Sequence, residues 1–128
     1  MNTQITDGVK ISVEATYQPR HSNPLESKYL FSYQIEIENL RDRPVQLLRR
    51  NWIIFNSNGE RRLVSGDGVV GQQPMIRPGQ IHSYGSWCPL NTAVGRMYGT
   101  YEMQIVETGA LITVDIPAFD LIAPFKYN

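Results

Sequence analysis

The chain has 128 residues, enough for one domain with a core that buries on the order of two-thirds of its unfolded surface. Twelve Lys and Arg balance twelve Asp and Glu, so the net charge is zero, which argues against wholesale attraction to nucleic acid or to a membrane surface. One cysteine, Cys88, excludes an intrachain disulfide. No uncharged apolar run reaches the ~20 residues that span a bilayer, and the N-terminus lacks the basic-then-apolar order of a secretory signal, so the expectation is a cytoplasmic protein without a membrane span.

The first predicted strand is GVKISVEATY, with Val9, Ile11, Val13, Ala15 and Tyr17 on one face and Lys10, Ser12, Glu14 and Thr16 on the other. A loop with Pro19 and Pro24 follows. YLFSYQIEIEN repeats the period, with Phe31, Tyr33, Ile35 and Ile37 facing inward. VQLLRRNWIIFN is rich in β-formers and runs into Asn56-Ser57-Asn58-Gly59, a hairpin turn because Asn and Gly tolerate positive φ. RRLV returns as a short strand before a glycine loop.

Arg77-Pro78-Gly79-Gln80 has the Pro-Gly order of a type II turn, and the strand IHSYGSW follows it. A loop over residues 89–95, the alternating strand GTYEMQIVE, a turn at Gly109 and the strand LITVDIPAF complete the pattern, ahead of the partly apolar tail DLIAPFKYN. No segment sustains helical periodicity, so the prediction is an all-β sandwich of two packed antiparallel sheets in a single domain. The Pro78-Gly79 turn leading to Tyr84 resembles the place where fibronectin-type and immunoglobulin-type strands change sheet.

Residues 66–71, GDGVVG, spell G-x-G-x-x-G. A dinucleotide fingerprint needs a helix opening after the glycines and an acid about twenty residues on. Here Pro74 and Pro78 forbid the helix, and the next acid after Asp67 is Glu102. A phosphate-binding P-loop is excluded by the absence of Gly-Lys-Ser/Thr. The plainer reading is three glycines supplying unusual backbone angles. A middle reading is an anion nest of loop amides, with Arg61, Arg62 and Arg77 adding charge.

From Arg41 to Tyr101, eight arginines stand against three acids, so this segment is positive and the two ends are negative. Either the arginines share an anion-attracting face, or they alternate outward along strands and pair with the terminal acids; the second reading is favoured. Nothing in the sequence orients His82 toward Cys88 to make a thiolate, so Cys88 reads as an inert buried thiol. One Cys with His21 and His82 makes no zinc set. Trp52, Trp87 and seven tyrosines read as core or cross-strand aromatics rather than a base-stacking platform.

The string GDGVVGQQPMIRPGQIHSYGSWCPLNTAVGRMYGTYEM is similar to the core signature of the ApaG family. Its parts here are Gly66 to Pro74, the Ile76-x-Pro78-Gly79 turn, Tyr84, Ser86, and Leu90 through Met103. The flanks near residues 13–19, at 31–39 and at 116–124 resemble the family as well. This resemblance implies a fibronectin type III or immunoglobulin-like β-sandwich. It implies an association with cobalt and magnesium efflux, frequent proximity to a diadenosine tetraphosphate hydrolase gene, and kinship with protein-recognition domains of F-box ubiquitin-ligase subunits and a polymerase-interacting protein. No enzymatic activity comes with it.

The expectation is therefore a non-enzymatic binding module with an unidentified protein partner, no resident cofactor, no metal ligands and no catalytic residues. Its binding residues are expected among Arg61, Arg62, Gly66, Asp67, Gly68, Gly71, Arg77, Trp87 and Arg96. The rival is a phosphate-containing small anion, such as a pyrophosphate-bearing nucleotide, held at the glycine loop with or without a divalent cation. A homodimer through the apolar tail and an exposed strand edge is a third expectation.

Overall fold

A computed structural model of the chain describes residues 1–124. The end of the apolar tail expected to support a homodimer, residues 125–128, lies outside the described residues. The described residues form nine strands in two antiparallel sheets, an all-β sandwich as the alternation predicts and of the immunoglobulin or fibronectin type III-like class that the family resemblance implies. In the first sheet, β1 (Asn2–Thr6), β2 (Val9–Tyr17), β3 (Tyr29–Asn39) and β7 (Ile81–Leu90) lie in the order β1-β2-β3-β7. The second sheet holds β4 (Val45–Asn56), β5 (Arg61–Asp67), β8 (Val94–Ile105) and β9 (Leu111–Ile122) in the order β5-β4-β8-β9. The two-residue β6 (Met75–Ile76) pairs with β4 at Val45 and Gln46, beyond the end of β5. No helix of the described residues is long and apolar enough to cross a membrane.

The core lies between the sheets. Val9, Ile11, Val13, Phe31, Ile35 and Ile37 of the first sheet meet Leu47, Trp52, Met97, Tyr101, Met103 and Val114 of the second, all buried. Strand β1 was missed by the alternation argument because four of its five residues are exposed. Its signal was the Asp7-Gly8 pair, which takes φ of 48° and 75° and reverses the chain so that Thr6 faces Val9. The expected turns at Gly59 and Pro78-Gly79 form, with Gly59 N–H on Asn56 O at 3.0 Å and Gln80 N–H on Arg77 O at 2.9 Å. At Pro78-Gly79 the chain passes from the second sheet to the first. Buried Asn39 secures the neighbouring crossover from β3 to β4, because its Nδ2 donates to Arg43 O at 2.8 Å and to Ile76 O at 2.9 Å.

Two departures from simple alternation set the inward faces. Leu47 pairs with Met103 but Arg49 pairs with Glu102, so Leu48 is an extra residue in β4. Before it, the odd positions Val45 and Leu47 are buried; after it, the even positions Trp52, Ile54 and Asn56 are buried. β9 bulges likewise at Pro117 and Ala118, opposite Tyr98, where a proline with no N–H is tolerated. Val114 and Ile116 face in ahead of that bulge, and Phe119 and Leu121 after it.

Deleting Leu48 makes the strand regular, because Leu47 and Arg50 then stand two places apart and Val45, Leu47, Trp52 and Ile54 keep one face. No buried side chain changes face, so the cost is confined to half-buried Leu48 and the local twist of the bulge, about 1–2 kcal/mol against a typical total of about 5–15 kcal/mol. The expected outcome is a single cooperative urea transition at a modestly lower midpoint, read by tryptophan fluorescence and near-ultraviolet circular dichroism; loss of the transition would show that the bulge itself is required.

Candidate functional site

On one side of the sandwich each sheet ends in a strand with only one neighbour, β7 in the first and β5 in the second. A groove of about 600 Å³ opens there. It is lined by Tyr33 and Arg50 from the sheet interiors, by Asp67, Val69, Val70 and Gly71, and by residues 84–87 of β7.

Arg50 reaches the groove because of the Leu48 bulge. Past that extra residue it shares the inward phase of Trp52 and Ile54. Its Nη1 donates to Asp67 O at 3.0 Å and to Gly68 O at 2.9 Å, binding the end of β5 to β4. Gly66 makes room for it, since a Cβ there would stand 2.9 Å from Arg50 Nη2 and 3.0 Å from Cζ. Gly66 thus lies within β5 rather than in a loop, paired with Arg50, and β5 continues through Asp67.

The chain then turns. Gly68 N–H donates to Leu48 O at 2.8 Å, and Val69 and Gln72 exchange both backbone hydrogen bonds at 2.8 and 3.0 Å. Between them Val70 and Gly71 have φ of 48° and 74°, the two positive values of a type I′ turn. Gly68 also has positive φ, 63°, and a Cβ on it would fall 2.1 Å from Gln72 O. The amides of Gly68, Val69 and Gln72 are therefore spent inside the turn. Val70 is β-branched in a left-handed conformation that strongly disfavours it, next to an open groove.

Below the groove Tyr84 and Tyr101 join hydroxyl to hydroxyl, with Tyr33 beside them. Burial raises the pKa of all three above the ordinary tyrosine range. At the lower end of the opening Arg62 crosses from β5 to β7, and its Nη2 donates to Pro89 O at 2.6 Å with Cys88 Sγ 3.9 Å away. Cys88 is buried, and its thiol is pushed up to about 11 by burial, partly opposed by the Arg62 guanidinium. Trp87 stands at the rim, 54% exposed, with the His21 ring edge-on at 5.8 Å.

Of the residues singled out from sequence, Asp67, Gly71 and Trp87 line the groove. Gly66 and Gly68 shape it through Arg50 and the turn, and Arg62 closes its lower end. Arg61 is exposed on β5. Arg77 lies in the turn before β7, where its N–H donates to Gln80 Oε1 at 2.9 Å. Arg96 pairs with Asp120 on the outer face of the second sheet, 3.6 Å apart. Neither Arg77 nor Arg96 lines the groove. Arg43 with Glu107, and Arg49 with Asp67 and Glu102, pair in the same outward manner, in keeping with the alternating reading of the arginines. Arg41, Arg50, Arg61, Arg62 and Arg77 form no ion pair among the described residues, so the expected pairing holds for three of the eight arginines. Arg50 lies on the inward phase of β4, which period counting across VQLLRRNWIIFN does not show because it has no sign of the bulge. Among the described residues no three of His, Cys, Asp and Glu converge as a metal-ligand set.

The profile of the ApaG domain family, DUF525, matches residues 19–105. The chain is 42% identical to Protein ApaG of Anaeromyxobacter dehalogenans strain 2CP-C over 128 residues, covering all of both chains. It is 40% identical to Protein ApaG of Agrobacterium fabrum over 124 residues, 97% of this chain and 95% of the relative. A Bordetella pertussis protein solved under the name ApaA superposes with a TM-score of 0.88 at 39% identity, over 92% of this chain and 95% of that one.

Two turns among the described residues have consecutive positive φ values and make a natural comparison, one opening with Asp7 and the other with Val70. Val70→Asn should raise stability by about 1 kcal/mol, since Val70 is 65% exposed and loses little packing. Gly68→Ala should lower it by about 2–4 kcal/mol through both the clash and the backbone strain. Urea unfolding of each variant checks the opposite signs.

A second expectation concerns alkaline pH. Cys88 and the three tyrosines are acids whose neutral forms the fold prefers, against ordinary values of 9.0 and 10.0. Their contribution is complete below about pH 9 and declines as pH rises through 9.0 toward 11, first with Cys88. The slope while Cys88 alone titrates is at most about 1.4 kcal/mol per pH unit. Urea midpoints measured from pH 7 to 11 should fall only above about pH 9, and Cys88→Ala should delay the fall.

Proposed function

The chain belongs to the ApaG family, and on that premise we propose that it is a non-enzymatic, cytoplasmic binding module that seats a protein partner in the groove between β5 and β7. The observation that carries this reading is the opening itself, with an inward-facing arginine at its floor and an exposed tryptophan at its rim. Trp and Arg are the residue types that anchor protein interfaces. Two free strand edges flank the opening, and an edge offers unpaired N–H and C=O groups to an incoming chain.

On this reading, the association with cobalt and magnesium efflux that the family resemblance implies enters through the partner. A phosphate-bearing anion on the glycine turn has less support. Three of its amides are already bonded within the fold, and two successive left-handed residues do not aim the remaining amides of Val70 and Gly71 as the alternating conformations of a nest do.

A photo-crosslinking residue placed at Val70, at the lip of the groove, should yield a discrete adduct in cells, and the same residue at Arg77 should not. Trp87→Ala should weaken capture of that partner by about tenfold or more, a loss of about 1.4 kcal/mol or greater. Equal adducts from both positions, or none from Val70, would count against the groove.

A further inference from the structure

Arg50 is a cation directed into the sandwich with no acid to meet it. No ion pair of the described residues includes it. Its Nη1 is spent on the carbonyls of Asp67 and Gly68. Nε and Nη2 have no hydrogen-bond partner among the described residues, neither is a buried orphan, and Arg50 lines the open groove. The carboxylate of Asp67 lies on the same rim but is held by Arg49 Nη1 at 2.8 Å.

The Nε and Nη2 edge of a guanidinium presents two parallel N–H donors, spaced for the two oxygens of one carboxylate. Resting on the reading of the groove as a partner site, we infer that Arg50 receives a single carboxylate carried by an extended segment of the partner. Three features favour a carboxylate over a phosphate. Among the described residues only one guanidinium lines the groove, since Arg62 is occupied by Pro89 and Arg77 and Arg96 lie elsewhere. The turn amides that would share a phosphate's charge are bonded at home. The Asp67 carboxylate at the rim opposes a multiply charged anion more than a singly charged one. An extended segment is favoured because the groove lies between the free edges of β5 and β7, where main-chain pairing holds a strand and alternate side chains point inward.

The test follows the Arg50 Nε–H resonance by NMR in the intact wild-type protein. The probes are the capped tripeptide acetyl-Val-Glu-Val-amide, its Gln counterpart, inorganic phosphate and pyrophosphate. The Glu peptide should shift Arg50 Nε–H saturably and bind at least about tenfold more tightly than the Gln peptide, the usual margin of a charge-assisted contact. Arg50→Lys should weaken the Glu peptide by about fivefold or more and leave the Gln peptide unchanged. Its amide spectrum is compared with wild type, because the variant also gives up the hold on Asp67 and Gly68; the wild-type titration decides the matter without it. Equal binding of the Glu and Gln peptides, or a silent Arg50 at millimolar peptide, overturns the inference. Tighter binding of pyrophosphate than of the Glu peptide overturns it in favour of a phosphate. If the adduct at Val70 persists while Arg50 stays silent, the partner site stands and only the carboxylate falls; if both fail, the groove reading falls with it.

Discussion

Leu48 adds one residue to β4, and the shape of the open side follows from it. A strand's side chains alternate, and a bulge passes over one residue, so the inward positions change from odd to even numbers beyond it. Were the same chain paired without the bulge, Arg49 would point inward, and Arg50 would stand outside among the solvated pairs. With it, a guanidinium enters the space between the sheets, and Gly66 across the ladder must lack a Cβ to leave room. The guanidinium then grips the carbonyls of Asp67 and Gly68, which fixes where β5 stops and the turn begins. Four features far apart in kind, a bulge, a cation, a glycine and a strand end, are one arrangement.

Much of this fold is legible in the sequence, because alternation is a local property. The bounds of β2 and β3 follow from it almost to the residue, those of β4 follow from its run of β-forming residues, and the turns at Gly59 and Gly79 follow from their dipeptides. What escaped has a physical reason in each case. β1 lies on the surface and has no buried face to betray it, although Asp7-Gly8 marks its turn. β7 and β8 extend toward each other through the stretch read as a loop, leaving only residues 91–93 between them, since Pro89 is acceptable on an edge strand. Residues 65–67 belong to β5 because Arg50 on the neighbouring strand holds them there.

The site was legible in part for a related reason. Composition pointed to the glycines, the arginines and Trp87, and the structure places Asp67, Gly71 and Trp87 around one opening. It leaves Arg77 and Arg96 outside, because which strands end up on which edge is decided by sheet order, a long-range property. The three glycines, so suggestive as G-x-G-x-x-G, have three different reasons to be glycine. Gly66 yields space to a side chain, Gly68 yields space to a backbone oxygen in a left-handed conformation, and Gly71 completes a reverse turn. Among the described residues Val70 is the one β-branched residue with a left-handed backbone, and it stands at the lip of the groove, where backbone strain is most often retained for use.

The clasp between Arg62 and Pro89 bears on how copies of this molecule behave in a crowded solution. Unprotected strand edges are templates on which further chains can stack, and β5 bears Leu63 at 69% exposure, a side chain that would promote such growth. By reaching across to the β7 carbonyl, Arg62 spans the gap and obstructs the approach to both edges at that end, while Pro89 contributes no N–H at all. Only the short stretch above stays accessible. An aperture of that length can host a few residues of a foreign strand, yet it is too brief to nucleate the continuous ladder on which fibrils depend.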